Sequence, residues 1–380
     1  MENNRLKLGI LFNFQSSWMG GIIYIINIVK TLNFLDDKEK PEITLFYKPE
    51  LSRFLNEFDG YPYLTKVEHD YPDLIKGNFK SFLLRKNIFI SDILKRYDLD
   101  VIYPLQDYPV RTKTNVKLIS WSADFQNKHY PEFFSKKQLI GRHQRVKNAI
   151  KNADHLVLSS HDAHNDLKKF FKVRKGLNIY IYHFVSIIDD LISVDIEELR
   201  KKYELPEKYF MVSNQFHKHK NHKILLQALA RMKQEGIRIH LALTGRMPDA
   251  SHSPYMAELH SIIEDNKLQD QISLLGVLPR NDQLQLMRHS QAVIQPSLFE
   301  GWSTVIEDAI SLQVPVIAAN LRVNIEQLGD DHGYFDPHNV DELVNIMKDY
   351  PERNMDDMLY EEYDKRVKNA AKTLMKIFEP

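Results

Sequence analysis

The segment 292–319 constrains the fold more than any other part of the chain. It opens and closes with short apolar runs, residues 292–294 and 314–319. Such runs are typical of parallel strands that are buried on both faces. A polar loop and the helical pattern 305–312 lie between the two runs. The order strand, loop, helix, strand is one βαβ unit and predicts a parallel sheet.

The loop of this unit carries groups that suit a polyhydroxylated ligand with a phosphate. It lies at the carboxyl end of its strand, where open α/β sheets bind ligands. Ser303 and Thr304 are both good candidates for the helix N-cap, and the amides of residues 301–304 would then point outward as an anion site. Three carboxylates flank these amides: Glu300, Glu307 and Asp308.

The same alternation of strand and helix patterns runs through the rest of the chain. In the first half, strands are predicted at 8–14, 43–47, 101–104, 116–121, 155–160 and 178–182, and helices at 22–35, 81–97, 135–153 and 162–171. In the second half, further strands are predicted at 209–213, 239–244, 272–278 and 333–335, and helices at 223–234, 281–288, 341–347 and 353–378. Strands that alternate with helices predict doubly wound α/β sheets.

Bulk composition narrows the class of protein. A length of 380 residues favours two domains, and a net charge of zero argues against a general nucleic-acid binder. The chain has no cysteine, which excludes disulfides and thiolate metal sites and fits a reducing cytosol. Residues 1–5 do not look like a signal peptide, and the apolar run 20–29 is too short to span a bilayer. We therefore expect a cytoplasmic protein, soluble or peripheral at the inner face of the membrane.

Residues 111–175 are strongly basic, with 15 Lys and Arg against 5 Asp and Glu. A solvated helix face is the ordinary explanation of such a run. A surface for anionic lipid or for a phosphate-bearing acceptor is the other, and the sequence favours neither.

Loops that follow the other predicted strands supply further candidates. Gly20 and Gly21 could admit a ligand close to the backbone or form a plain tight turn, and the glycine pattern of dinucleotide-binding folds is absent. Asp124 and His129 follow the strand 116–121, where a site role and a role in capping the next turn are equally plausible.

Two lysines, Lys218 and Lys220, lie in the predicted loop between the strand 209–213 and the helix 223–234. This is the right place for contacts to phosphate. The histidines of the same loop, at 217, 219 and 222, could suggest a metal, but no carboxylate accompanies them and we do not favour that interpretation.

The second half resembles the retaining GT-B glycosyltransferases of family 4, a large bacterial group that builds capsules, O-antigens and related glycans. Residues 275–279, LGVLP, resemble the family's LGFVP strand, and residues 296–309 resemble its PSxxEGxxxxxxEA signature. The match is most specific from 275 to 336 and weaker elsewhere. Residues 122–135 and 214–222 also resemble the PDFQHKHLPEFFS and NQFWKHKNH motifs of one subgroup.

The resemblance implies an α/β fold of the GT-B type, with two Rossmann-like doubly wound domains facing a central cleft. The N-terminal, acceptor-binding domain would comprise residues 1–190, and residues 186–205 look like the linker. The nucleotide-sugar-binding domain would comprise residues 191–352. A C-terminal helix, residues 353–380, would cross back to the N-terminal domain.

Site roles follow from the resemblance position by position. Glu300 matches the glutamate that contacts the hydroxyls of the transferred sugar, and Lys220 matches the lysine that neutralises the diphosphate. The loop that holds sugar and diphosphate matches Gly301, Trp302, Ser303 and Thr304. Gly20 and Gly21 match the family's N-terminal glycine loop, near the donor phosphate and the acceptor, and Asp124 matches an aspartate near the acceptor. Gly245, at the end of the strand 239–244, is a further candidate for donor binding.

Three positions depart from the family pattern. The spacing puts Asp308, one methylene shorter than the usual glutamate, at the position that binds the ribose, and we expect its neighbour Glu307 to be solvated. Gln215 replaces an arginine of the diphosphate site, where Lys218 could restore the charge. Ala123 replaces a histidine next to Asp124, for which His129 is a possible substitute.

The resemblance implies transfer of a hexose from a UDP- or GDP-sugar to a glycan or lipid-linked acceptor, with retention and with no cofactor or required metal. Nucleic acid is not an expected partner. Two alternatives stay open at this point. One is a non-catalytic nucleotide-sugar-binding subunit, and the other is a sugar-nucleotide epimerase or a phosphorylase on the same architecture.

Overall fold

The computed structural model describes residues 5–16, 18–189, 191–330 and 332–379. The expectations from the sequence also cover residues outside these ranges. These are residues 1–4 of the predicted N-terminal domain, Ser17 of the loop before the predicted helix 22–35, Asp190 at the predicted domain boundary, Asp331 of the predicted second domain and Pro380 of the predicted C-terminal helix.

The chain forms two compact units. The first contains the chain up to Val185 together with the C-terminal stretch from Asp364, and the second contains Ser186–Tyr363. The C-terminal helix therefore returns to the first unit, as predicted. There the carbonyl of Ile377 lies 3.1 Å from Nδ1 of His155, and the ring of Phe378 packs against Tyr103.

The first unit is a parallel sheet flanked by helices. Its strands are β1 Lys7–Phe12, β2 Glu42–Tyr47, β3 Leu64–Glu68, β4 Val101–Tyr103, β5 Lys117–Ser122, β6 His155–Leu158 and β7 Asn178–Ile181. Its helices are α1 Met19–Leu32, α2 Leu74–Leu84, α3 Ile93–Arg96, α4 Gln126–His129, α5 Lys136–Asn152 and α6 His161–Phe170. The strand order is β3-β2-β1-β4-β5-β6-β7, so the direction of winding reverses between β1 and β4.

The second unit repeats this plan. Its strands are β8 Phe210–Ser213, β9 Leu241–Thr244, β10 Ile272–Gly276, β11 Val293–Gln295, β12 Val316–Ala319 and β13 Gly333–Phe335. Its helices are α7 Ile196–Lys202, α8 His222–Gln234, α9 Pro254–Asp265, α10 Arg280–Arg288, α11 Thr304–Ser311, α12 Arg322–Leu328 and α13 Val340–Lys348. The last helix of the chain, α14 Tyr363–Phe378, starts at the end of this unit.

The strand order of the second unit is β10-β9-β8-β11-β12-β13. This is the order of a dinucleotide-binding Rossmann sheet, and its direction of winding reverses between β8 and β11. The central strands are apolar throughout because helices cover both faces of the sheet. Two doubly wound units confirm the predicted fold class.

Local sequence explains where the helices begin. Ser135 forms a capping box with Gln138 at the start of α5. Ser160 and Ser303 cap α6 and α11 through their hydroxyls. Asn221 adopts a left-handed conformation, with φ of 56°, at the turn that leads into α8.

Several predicted bounds were wrong. Helix α1 begins at Met19, so Gly20 and Gly21 lie inside it and not in a loop before it. The predicted helix 81–97 is instead α2 and the short α3, and the predicted C-terminal helix 353–378 begins only at Tyr363. The predicted linker 186–205 contains α7, and the sequence interpretation also omitted β3, α9 and α12. Across the part of the chain that the structure describes, every helix is too short or too polar to cross a bilayer.

Candidate functional site

The candidate site lies where the winding of the second sheet reverses. Strands β8 and β11 are neighbours there, and both point their carboxyl ends to the same edge. The loop 214–221 follows β8, and the loop 296–303 follows β11. A backbone hydrogen bond of 2.8 Å from Leu298 N to His219 O joins the two loops. This edge is where open α/β sheets bind ligands.

Lys220 and Glu300 form an ion pair across these two loops. Lys220 Nζ lies 2.6 Å from Glu300 Oε1, and the two side chains are 18% and 9% exposed. The short turn Lys218–Lys220 positions the lysine, and the loop after β11 positions the glutamate. Because little water reaches the pair, its charges are screened less than those of a surface ion pair. The structure thus brings together the two residues that the sequence placed at the centre of the site.

Gln295, the last residue of β11, is hydrogen-bonded to Glu300 of this ion pair and to two neighbouring polar side chains. Its side-chain amide is completely buried and donates to Glu300 Oε1 at 2.7 Å and to Ser303 Oγ at 3.0 Å. Its oxygen accepts from Asn214 Nδ2 at 2.7 Å. A chain of hydrogen bonds therefore runs from Asn214 through Gln295 and Glu300 to Lys220, and it fixes the carboxylate of Glu300.

The turn into α11 is closed by a residue from another helix. Ser303 caps α11 through its hydroxyl, which confirms the first of its two predicted N-cap candidates. Gln327 of α12 accepts from the amide of Ser303 at 3.2 Å and donates to its carbonyl at 2.9 Å. The amide of Ser303 is thus already bonded within the turn. Gly301, Trp302 and Thr304 lie partly exposed beside it.

Gln327 also contacts Glu307 and helps to bury it. Its side-chain amide donates to Glu307 Oε1 at 2.7 Å, and Glu307 is only 1% exposed. The expectation that Glu307 is solvated was therefore wrong. The cause is the contact with α12, which lies beyond the reach of the local helical pattern.

Asp308 faces a different set of groups from Glu307. Arg280 of α10 binds both of its carboxylate oxygens, at 2.7 Å and 2.5 Å, and the hydroxyl of Ser186 donates to the same carboxylate. Asp308 is buried, whereas the side chain of Arg280 is 45% exposed. The position predicted to bind ribose is thus occupied by a carboxylate that is held in one orientation by a guanidinium.

The remaining donor candidates lie around the loop after β8. Gln215 Oε1 is 2.9 Å from Nε2 of its neighbour His217, and Lys218 is exposed. Gly245 follows β9 with φ of 135°, and a Cβ there would lie 2.2 Å from the carbonyl oxygen of Asn214. Only glycine fits this position, because a larger residue would push the loop out of place.

His222 does not converge on a metal site with His217 and His219. It is fully buried and stacks on Phe216 with ring centroids 4.1 Å apart, whereas His217 is exposed and His219 partly exposed. Burial, aided by the charge of Lys220, lowers the pKa of His222 to about 3. It is therefore a neutral core side chain below the site.

The acceptor candidates Asp124 and His129 belong to the first unit and have separate partners. Asp124 accepts from the amide of Gln126 at 3.0 Å and lies 2.7 Å from Arg142. His129 Nε2 lies 2.7 Å from Asp166 on α6. Asp124 thus stabilises the start of α4, while His129 has its own carboxylate partner.

Gly20 and Gly21 lie under an aromatic stack at the start of α1. The ring of Trp121 from β5 lies between those of Trp18 and Tyr24, with centroid distances of 5.8 Å and 3.9 Å and nearly parallel planes. A Cβ on Gly21 would lie 2.7 Å from the ring of Trp18. Gly21 therefore allows Trp18 to pack against the helix.

The sequence interpretation missed four residues that build the site: Asn214, Arg280, Gln295 and Gln327. For two of these residues the sequence did contain a pattern that could have indicated them. Asn214 and Gln295 are amides at the ends of adjacent apolar strands, where carboxyl ends meet. Arg280 and Gln327 act from helices that are distant in sequence, and no local pattern points to them.

The part of the chain that carries this site is similar to known proteins. The family model of glycosyl transferases group 1 matches residues 195–373. A relative from Campylobacter jejuni, an N-acetylgalactosamine-N,N'-diacetylbacillosaminyl-diphospho-undecaprenol 4-alpha-N-acetylgalactosaminyltransferase, is 25% identical over 191 residues, which are 49% of this chain and 48% of the relative. Protein CapJ of Staphylococcus aureus is 24% identical over 221 residues, which are 55% of this chain and 51% of the relative. The aligned part thus spans about half the length of both.

Among solved structures, Anabaena HepE in complex with UDP and glucose has the same fold. Its TM-score is 0.64 at 19% identity, with 98% of this chain and 95% of the other covered. The residues that form the Lys220–Glu300 site all lie within the matched range 195–373. Over residues 195–373 the chain therefore resembles the glycosyl transferases group 1 family.

Proposed function

We propose that this chain transfers a hexose from a nucleoside-diphosphate sugar to a glycan or lipid-linked acceptor with retention of anomeric configuration. The observation that carries the proposal is the Lys220–Glu300 pair at the winding reversal of the second sheet. A poorly exposed cation beside a poorly exposed carboxylate matches a substrate whose two parts differ in charge. One part is an anionic diphosphate and the other is a neutral, polyhydroxylated sugar.

Lys220 is the group that receives the departing diphosphate in this proposal. Its ammonium is held in a poorly solvated site, where a positive charge stabilises developing negative charge more strongly than it would in water. The N-terminus of α11 is close by, because Ser303 of its cap shares the amide of Gln295 with Glu300. The dipole of α11 adds positive potential to that of the Lys220 ammonium. Lys218 is exposed on the same short turn and supplies further charge, while Gln215 contributes a neutral contact.

Glu300 binds the sugar. A carboxylate accepts hydrogen bonds from vicinal hydroxyls, and Gln295 keeps one of its oxygens oriented. Gly301, Trp302 and Thr304 form the adjacent wall of the donor site, and Gly245 leaves room for the loop that carries Lys220. Since Lys220 and the helix dipole supply the positive charge, we propose that transfer requires no metal ion, and the rate is then expected to be the same with and without a chelator.

The first unit is proposed to bind the acceptor. Trp18 lies over Gly20 and Gly21, is 40% exposed and offers an aromatic surface that suits a sugar ring. Asp124 and His129 are the polar groups of this unit, each held by a charged partner. The name of the Campylobacter relative describes an acceptor linked to diphospho-undecaprenol, which favours a lipid-linked acceptor at the inner face of the membrane.

Thermal-shift measurements with UDP-, GDP- and dTDP-sugars test the donor first. We expect stabilisation by one nucleotide class, and for that class also by its free diphosphate. The matching radiolabelled nucleotide sugar is then incubated with the protein and membrane extract. The anomeric configuration of the product is determined by NMR. Transfer that Glu300→Ala abolishes supports the proposal.

Two outcomes would overturn the proposed function. If the protein binds the donor but neither transfers the sugar nor hydrolyses the donor, it is a non-catalytic nucleotide-sugar-binding subunit. Formation of an epimer from the donor alone would identify an epimerase on the same architecture.

A further inference from the structure

Helix α2, Leu74–Leu84, is packed the opposite way round from an ordinary surface helix. Its small residues Gly77 and Ser81 face the protein and are buried. A Cβ at Gly77 would lie 2.5 Å from the ring of Phe89, so this face cannot accept a larger side chain. Ser81 Oγ donates to the carbonyl of Gly77 at 2.7 Å and accepts from Ile88 N at 3.2 Å. The inner contact is therefore specific, and the orientation of the helix is fixed.

The large apolar side chains of α2 face outward. Ile75, Phe79, Phe82 and Leu83 are 69%, 69%, 58% and 72% exposed. At about 100° per residue, these four side chains fall on one arc of roughly 100°. A contiguous apolar stripe of this kind on a helix marks an interaction surface, whereas single exposed apolar residues do not.

The stripe is bordered by positive charge. Lys76 and Lys80 follow Leu83 around the helix, and Arg85 and Lys86 follow its C-terminus. Residues 74–91 contain four basic residues and no acidic one. An apolar stripe with a basic border is the pattern of helices that lie in the surface of an anionic bilayer.

The basic helix α5 begins near the N-terminus of α2. The pKa of Asp73, the N-cap of α2, is lowered by the amides of Lys76 and Ile75 and also by the nearby charges of Lys76 and Lys137. Lys137 belongs to the first turn of α5, so the two helices begin near each other. On α5, Ile140 is 69% exposed one turn further along. Lys137 thus adds positive charge near the N-terminus of α2.

We propose that α2 binds the surface of a membrane that contains anionic phospholipids. Its 11 residues are too few to cross the bilayer, so the helix lies in the plane of the headgroups. The stripe inserts between the acyl chains, and Lys76 and Lys80 contact lipid phosphates. Membrane binding by itself is independent of catalysis. Its use in reaching a lipid-linked acceptor rests on the proposed function.

Co-sedimentation with vesicles tests the proposal without donor or acceptor, so failed transfer cannot affect the result. The whole chain is mixed with vesicles of phosphatidylcholine alone or with added phosphatidylglycerol. We expect the native protein to bind the anionic vesicles at least about tenfold more tightly than the neutral ones. Phe79→Ser with Phe82→Ser, and Lys76→Glu with Lys80→Glu, should each weaken anionic binding by about tenfold or more.

Matched double variants in the second unit serve as controls. Ile192→Ser with Met358→Ser removes two side chains that are 70% and 67% exposed, and Lys201→Glu with Lys348→Glu reverses two exposed charges. Both controls should bind like the native protein. Circular dichroism should show unchanged folding in all variants, since every altered side chain is exposed.

Three results would overturn the proposal. The first is that the native chain fails to sediment with anionic vesicles, and the second is that the α2 variants sediment as the native chain does. The third is that the native chain does not bind vesicles but forms a dimer, which Phe79→Ser with Phe82→Ser converts to a monomer. That result would assign the stripe to a second copy of the chain.

Discussion

Lys220 Nζ lies 2.6 Å from Glu300 Oε1, and the two residues follow neighbouring strands at the point where the sheet changes its direction of winding. Both side chains are poorly exposed, and the same glutamate oxygen also accepts from Gln295. A diphosphate that approaches Lys220 would compete with Glu300 for the ammonium. A sugar hydroxyl would in turn replace the lysine as a donor to the carboxylate. In the proposed function, binding of the two halves of the donor would thus be coupled through one contact.

Replacement of Glu300 should therefore affect transfer far more than folding. Glu300→Gln keeps an oxygen that accepts from Lys220 and Gln295 but removes the charge, and we expect kcat/KM to fall by at least about 100-fold. Glu300→Ala should abolish transfer while the chain still folds, and its melting temperature should be the lower of the two because Lys220 loses its partner. Steady-state kinetics and thermal melts measure both. Near-native turnover in either variant would remove Glu300 from the site.

Loss of the Lys220 charge should weaken binding of the diphosphate. For Lys220→Ala we expect the Kd for a nucleoside diphosphate to rise by about tenfold or more, measured by calorimetry. Lys223, three residues further on, is paired with Glu258 at 2.6 Å and provides a matched control. Lys223→Ala should leave the affinity unchanged. Equal affinities of native protein and Lys220→Ala would place the diphosphate elsewhere.

The fold was predictable where burial leaves a simple pattern in the sequence. Strands such as β6 and β12 are buried on both faces and read as apolar runs. Strand β3 was missed because it lies at the edge of the sheet, where Lys66 and Glu68 resemble a loop. Helix α2 was misplaced because its large apolar residues face outward, so the pattern points away from its true inner face.

The site was predictable only to the extent that strand ends define it. Lys220, Glu300 and the cap at Ser303 follow from the positions of β8, β11 and α11. The different hydrogen-bond partners of the buried carboxylates Glu307 and Asp308 were not predictable. They depend on Gln327 and Arg280, which come from other helices and leave no periodic signal near residue 308.

The Asp308 carboxylate is the group we expect to recognise the ribose. Arg280 and Ser186 hold it in one orientation but leave it with further lone pairs to accept a hydroxyl. We expect native protein to bind a nucleoside diphosphate about tenfold more tightly than its 2′-deoxy or 3′-deoxy analogue, whichever lacks the contacted hydroxyl. Asp308→Ala should abolish this preference.

The buried neighbour of Asp308 provides the control. Glu307→Gln keeps the bond to Gln327 and should retain the preference for the ribose hydroxyl. If the preference persists in Asp308→Ala but is lost in Glu307→Gln, the ribose is recognised through Glu307.

His222 makes the stability of the protein depend on pH. Burial lowers its pKa to about 3 from an ordinary value of 6.5, so only the unfolded chain takes up its proton between these values. The free energy of unfolding should therefore be highest above pH 6.5 and should fall by about 1 kcal/mol for each pH unit as the pH drops toward about 3. His222→Phe keeps a ring to stack on Phe216, and His222→Gln gives a neutral polar side chain. Urea unfolding of all three proteins at several pH values above and below 6 measures the slope. Both variants should show a shallower slope than the native chain, and a slope that stays the same in both would exclude His222 as its source.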